Sequence, residues 1–265
     1  MKIQVNGANL NVLELGNPKA KPIVLIHGFP LSHEMWNPQV EFLKQSFRVV
    51  AYDIRGHGQS DVGDGQYTME LFAEDLLGLL DSLRIEKAVL CGLSMGGYIA
   101  LRTAEKSQER VDGLILCDTK AEADSDEAKL KRATTIRFIK EQGMKPFIES
   151  QIHALLASQT VTKNPATVEM VRRIIQGNSP IGVCGALLAM AGRTDTSAAL
   201  PNLKVKTLII VGENDALTPP ELSKSMHAKI PNSTLHVLRN AGHLSNLEKT
   251  EDFNHHLSDF LSKLH

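Results

Sequence analysis

Short apolar, β-branched-rich runs recur along the chain at about 2–5, 11–15, 22–26, 48–52, 87–91, 113–117, 206–211 and 234–238, and each reads as a strand. From the third onward most alternate with helical patterns. That alternation predicts right-handed crossovers and a mainly parallel sheet covered by helices on both faces. The first two runs flank Asn6-Gly7 and read as an antiparallel hairpin. Between 68 and 83, Phe72, Leu76, Leu79, Leu80 and Leu83 recur at helical spacing behind a capping Thr68, a stripe suited to burial against the sheet. From 250 to 264, Phe253, Leu257, Phe260, Leu261 and Leu264 repeat the pattern and would close the far side of the sheet, with His255 and His256 toward solvent. From about 119 to 200 the alternation gives way to a succession of helices. There Asp124 and Glu127 have capping-box spacing before a helix that runs to Gly143, Pro165 suits the first turn of another, and Gly177 and Gly192 sit at helix ends.

With 265 residues, 42% of them hydrophobic, the chain can bury a large core. The expected organisation is one α/β core, 1–118 and 201–265, with 119–200 inserted into it. A formal net charge of -1 and the absence of a Lys/Arg run of five or more argue against nucleic acid as a partner. No apolar stretch approaches the roughly 18 residues that a bilayer span requires, so no membrane association is expected. The first seven residues alternate apolar and polar and then turn, unlike a secretory h-region, and the expected location is cytoplasmic. Cys91, Cys117 and Cys184 lack metal spacing and read as structural thiols.

Candidate chemistry centres on Gly92-Leu93-Ser94-Met95-Gly96, where an apolar run ends and a helical pattern begins. A serine between glycines at a strand-to-helix bend can hold strained backbone angles and present its hydroxyl above the sheet, forming a nucleophile elbow. A serine hydroxyl needs a base, and the base needs an orienting acid. His243, after Ala241-Gly242 beyond the last strand, is the candidate base. Asp215, on the loop between the strand at 206–211 and Thr218-Pro219-Pro220, is preferred as the acid over Glu213, with Asp118 the other strand-end carboxylate. The amides of Met95 and Phe29 are the candidate oxyanion donors, since Pro30 has none. Trp36 is a candidate for the substrate pocket or for packing beneath it. Arg132, Arg137, Arg172, Arg173 and Arg193 are cations within the insertion, any one of which could clamp a carboxylate. The glycine pattern fits neither a dinucleotide fingerprint nor a phosphate loop, and no H-E-x-x-H occurs, so neither cofactor nor metal is expected.

Taken together, Leu25-Ile26-His27-Gly28-Phe29-Pro30, Asp53-Ile54-Arg55-Gly56-His57-Gly58-Gln59-Ser60, Gly92 to Gly97, Val211-Gly212-Glu213-Asn214-Asp215 and Ala241-Gly242-His243 resemble the α/β-hydrolase superfamily. The order Ser, Asp, His along the chain is the order of that family. Within it, the chain is most similar to the small carboxylesterase, 3-oxoadipate enol-lactonase and cofactor-free haloperoxidase branch. The resemblance implies an eight-stranded, mostly parallel sheet, a helical cap over the site in the inserted segment, and hydrolysis of a small carboxylic ester or lactone through an acyl-enzyme on Ser94. It also implies that His27, Asp53, Arg55 and His57 shape turns. Serine in place of aspartate at the elbow counts against dehalogenase and epoxide-hydrolase members. A C-C bond hydrolase, a perhydrolase resembling the haloperoxidases, and a non-enzymatic ligand receptor of this fold remain the alternatives.

Overall fold

In the computed structural model, which describes residues 1–264, the Asn6-Gly7 turn sets the edge of the sheet. Both residues adopt positive φ, 46° and 77°, as a two-residue hairpin turn of this hand requires. Pairing therefore starts at once, Val5 with Ala8, and joins β1 (Lys2–Val5) to β2 (Ala8–Leu15) antiparallel. This is why β2 begins three residues before the expected run. Next come β4 (Arg48–Tyr52), antiparallel to β2, and then β3 (Pro22–Ile26), β5 (Ala88–Leu93), β6 (Val111–Cys117), β7 (Thr207–Gly212) and β8 (Ser233–Leu238), all parallel. The order β1-β2-β4-β3-β5-β6-β7-β8 makes one eight-stranded, mostly parallel sheet. β5 continues past Cys91 because Gly92 still pairs with Leu116 and Leu93 with Cys117, which carries the strand right up to Ser94.

Eleven α-helices are described: α1 (Asn37–Leu43), α2 (Met69–Ser82), α3 (Met95–Lys106), α4 (Asp126–Gln142), α5 (Met144–Leu155), α6 (Ser158–Lys163), α7 (Pro165–Gln176), α8 (Pro180–Ala191), α9 (Pro220–Lys229), α10 (Ser245–Glu248) and α11 (Thr250–Leu261). The α2 start is set by Thr68, whose hydroxyl accepts the Leu71 amide at 3.0 Å, and its stripe Phe72, Leu76, Leu79 and Leu80 is buried. Each such side chain contributes about 1.5–3 kcal/mol of burial. On α11, Phe253 packs against Trp36 with ring centroids 6.2 Å apart. Here one expectation fails. His255 is exposed, but His256 turns inward and stacks on His236 of β8, centroids 3.8 Å apart, because β8 offers that ring a flat partner at the sheet edge.

Helices α4 to α8 lie between β6 and β7. The Asp124/Glu127 capping box does not form. Ser125 caps α4 instead, its hydroxyl accepting the Ala128 amide at 3.2 Å, because the Asp124 carboxylate is drawn into ion pairs with Arg132 and Arg193. Gly143 ends α4, Pro165 opens α7, and Gly177 and Gly192 close α7 and α8. Among the described residues no single helix is long and apolar enough to cross a bilayer.

Candidate active site

The end of β5 delivers Ser94 with φ 53° and ψ -114°, a backbone conformation that side chains rarely adopt. Surrounding atoms enforce it. The Ser94 amide donates to Cys117 O at 2.9 Å, and Thr119 Oγ1 donates to Ser94 O at 2.8 Å. Glycine is required on both sides by close approach: a Cβ at Gly92 would lie 2.2 Å from Gly96 O, and one at Gly96 would lie 2.1 Å from Ile26 O. α3 can thus start directly under β3. Met95 is its first residue, so the Met95 amide has no acceptor one turn back and points to the positive end of the helix.

Loops after β7 and β8 bring the other two residues together. His243 Nδ1 lies 2.8 Å from Asp215 Oδ2, with both side chains almost wholly buried. Asp215 Oδ1 accepts the Leu217 and Thr218 amides, each at 2.9 Å, and Oδ2 accepts the Thr218 hydroxyl at 2.6 Å. Burial pushes the Asp215 carboxyl up, but the adjacent His243 and the Thr218 donors outweigh it and hold the group below its ordinary value. Asp118 is engaged elsewhere: its carboxylate takes the Gly212 amide and the Ser245 hydroxyl. Complete burial, together with the negative Asp215 nearby, raises the Asp118 carboxyl well above the ordinary range.

Ser94, His243, Phe29 and Thr218 line one cavity of about 220 Å³, roofed by residues of α4, α5 and α8. Among the described residues no hydrogen bond joins Ser94 Oγ to the imidazole; in apo sites such contacts are often long and tighten when substrate binds. The cavity wall also holds Lys120, Lys131 and Arg132 against one carboxylate, Asp124. Asp124 is clamped by Arg132 and, at 2.6 Å, by the buried Arg193, whose guanidinium also stacks 4.1 Å over the Tyr98 ring. Burial, then the neighbouring Arg193 charge, lowers the Lys120 amine despite Asp124 3.7 Å away.

Trp36 is not among the lining residues. It ends the turn 33–36 that follows β3, is fully buried, and its position against Phe253 gives it to the core. Arg172 and Arg173 sit at the surface in pairs with Glu149 and Glu34, and Arg137 is exposed. His27, Asp53, Arg55 and His57 lie outside the cavity lining. His27 Nε2 accepts the Ile54 amide at 2.9 Å while Nδ1 meets Gly28 O at 2.9 Å, a pattern that assigns the proton to Nδ1 and ties the ends of β3 and β4 together. Asp53 gathers His33, Asn11 and the Gln59 amide, and Arg55 forks onto Asp75. Cys91 and Cys117 are buried free thiols, and Cys184 is half-buried. Sequence reasoning did not place Lys120, Asp124 or Thr218 at the site, although Thr218 stands three residues after Asp215, within reach of its carboxylate in a turn.

Comparison with known proteins bears on the fold. A family model described as the alpha/beta hydrolase fold matches residues 21–250. The chain is 31% identical to 3-oxoadipate enol-lactonase 1 of Acinetobacter baylyi over 97% of its own length and 95% of the relative's. A thermophilic esterase from Thermogutta terrifontis, solved with malate bound, superposes with a TM-score of 0.95 at 40% identity, covering 100% of this chain and 98% of that one. The enol-lactonase of Burkholderia xenovorans LB400 superposes with a TM-score of 0.93 at 31% identity, covering 99% and 100%. A strained serine at a strand-to-helix bend, a histidine and aspartate paired on the loops after the last two strands, and relatives along the full length lead to one conclusion: the chain belongs to the α/β-hydrolase family.

Proposed function

We propose that the protein hydrolyses small carboxylic esters or lactones through an acyl-enzyme on Ser94. The observation that carries this reading is the strained Ser94 opening into the same cavity as a His243 that is paired to Asp215. Ser94 Oγ adds to the ester carbonyl as His243 Nε2 takes its proton, and Asp215 stabilises the imidazolium through Nδ1. The Met95 and Phe29 amides receive the oxyanion, each donor worth roughly 3 kcal/mol. Collapse expels the alcohol, which takes the proton back from His243. Water, deprotonated by the same imidazole, then releases the acid and restores Ser94. In a lactone the alcohol stays tethered to the acyl group, and one hydroxy acid leaves.

Residues 119–200 serve as the cap, and their charge supports a narrower reading. Three cations and one carboxylate on the cavity wall favour substrates that bear a carboxylate besides the scissile ester. The malate in the Thermogutta terrifontis esterase structure is a dicarboxylate, in keeping with such a wall. The deciding experiment is hydrolysis of p-nitrophenyl acetate by the protein beside Ser94→Ala. A fall of about a thousandfold or more is expected from loss of the nucleophile. Equal rates for the two proteins would remove Ser94 from the mechanism.

A further inference from the structure

The loop that carries His243 is fastened to the cap more than to its own strand. The His243 amide donates to Leu155 O at 2.9 Å and the Leu244 amide to the same oxygen at 3.2 Å, at the C-terminal end of α5. Gln159 Nε2 donates to Asn240 O at 2.7 Å. At the centre lies the Glu248 carboxylate: Oε1 accepts the Gly242 amide at 2.8 Å, while Oε2 accepts the Ala157 amide at 2.9 Å and the Thr160 hydroxyl at 2.5 Å. The two segments touch so closely that a Cβ at Gly242 would lie 2.5 Å from Ala157 N and 3.0 Å from Glu248 Oε1. Apart from His243 itself, none of these residues lines the cavity, so substrate contact does not explain the junction.

We propose that Glu248 is a positioning residue, a latch that fixes the cap segment 155–160 against the histidine loop so that the imidazole sits correctly over Ser94 only with the cap seated. The proposal rests on His243 being the base. One carboxylate with an oxygen on each side of the junction makes the placement of the ring depend on the placement of the cap, and a ring displaced by about 1 Å can lose on the order of a hundredfold in rate. A cap tilted by a poorly fitting substrate would thereby slow its own hydrolysis.

The test breaks the latch from each side. Glu248→Gln removes one acceptor. Ala157→Pro deletes the cap donor at a residue whose φ of -60° suits proline, preceded by an extended Leu156. Thr160→Val removes only the hydroxyl, and Thr160→Ser keeps it. Each variant is assayed for kcat/KM on p-nitrophenyl acetate, whose leaving group departs unaided, and on phenyl acetate, whose leaving group depends more on a proton from His243.

The expected result is a fall of about tenfold or more on phenyl acetate for the first three variants, with a clearly smaller fall on p-nitrophenyl acetate and wild-type behaviour for Thr160→Ser. A loss of folded protein would divide both rates equally, and that outcome overturns the latch, as would unchanged rates. His243→Ala run beside them separates the two readings. If it is inactive while the latch variants match wild type, only the latch fails; if it retains wild-type activity, the reading of His243 as base fails and the latch with it.

Discussion

Ser94 concentrates strain in the residue proposed to do the chemistry. Its φ of 53° and ψ of -114° place it where a Cβ is unfavourable, at a cost of about 1–3 kcal/mol that the rest of the fold must sustain. Replacing Ser94 by glycine and by alanine separates strain from chemistry. Both variants lose the hydroxyl, but only alanine keeps the unfavourable Cβ. Glycine should therefore unfold at the higher urea concentration, by about 1 kcal/mol, even though its greater freedom in the unfolded chain works against it by about 0.4–1 kcal/mol. An alanine variant more stable than the glycine one, by about that same 0.4–1 kcal/mol, would mean that the bend is unstrained. At this scale the sequence was legible for the positions of Ser94, Asp215 and His243 beyond strand ends, because each stands in a short local motif. It was not legible for Trp36, because the direction a lone aromatic faces is decided by partners such as Phe253, more than two hundred residues away. Glu248 was silent for the same reason: its partners Ala157 and Thr160 are remote in sequence.

Among the elements, the strands were the more readable, since each buried parallel strand is a near-continuous apolar run whatever packs on it. The inserted helices were readable as helices from their spacing, and as a roof only through the resemblance to the α/β-hydrolases. Asp124 has the chemistry of a cap residue, and only the approach of Arg132 and Arg193 turned it into an ion-pair centre. Lys120, after β6, and Lys131 and Arg132, on the first two turns of α4, face the cavity from two elements. A substrate carboxylate between them gains charge-assisted hydrogen bonds worth about 1.5–3 kcal/mol. Lys120→Met should then lower kcat/KM for an ester bearing a second, free carboxylate by about tenfold or more, at about 1.4 kcal/mol per tenfold. The matched neutral ester should change by less than about twofold, since it has no charge for Lys120 to meet. Hydrolysis of a monomethyl dicarboxylate beside the corresponding dimethyl ester measures the difference. Equal losses on both would make Lys120 a packing residue.

The whole molecule carries a pH dependence that the site alone would not suggest. His27 and His57 are buried with rings 5.2 Å apart beneath the loop that holds Phe29. Burial, joined for His27 by the nearby His57, lowers their imidazoles to about 3 and about 4. In the unfolded chain each returns to about 6.5. As pH falls from about 6.5 toward 4, the unfolded state therefore binds protons that the folded state refuses, and stability is lost with falling pH. His236 and His256, both lowered first by partial burial, add in the same direction. Asp118 opposes them, because burial raises its carboxyl in the folded state, which therefore takes up a proton at higher pH than the unfolded carboxyl does. The net slope thus mixes several groups, but one can be isolated. His57 Nε2 is buried without a partner, and His57→Phe keeps a ring against His27 and Phe29 while removing one titrating site. Urea unfolding at pH 7, 6 and 5 should show the variant losing less stability than wild type, the slope near pH 5 being smaller by about 1.4 kcal/mol per pH unit, the value for one proton. Parallel slopes would mean that the folded state already accommodates a charged His57. The Ser94 bend and the Phe29 loop would then rest on a solvated layer and not on the dry one that keeps the His27 proton on Nδ1.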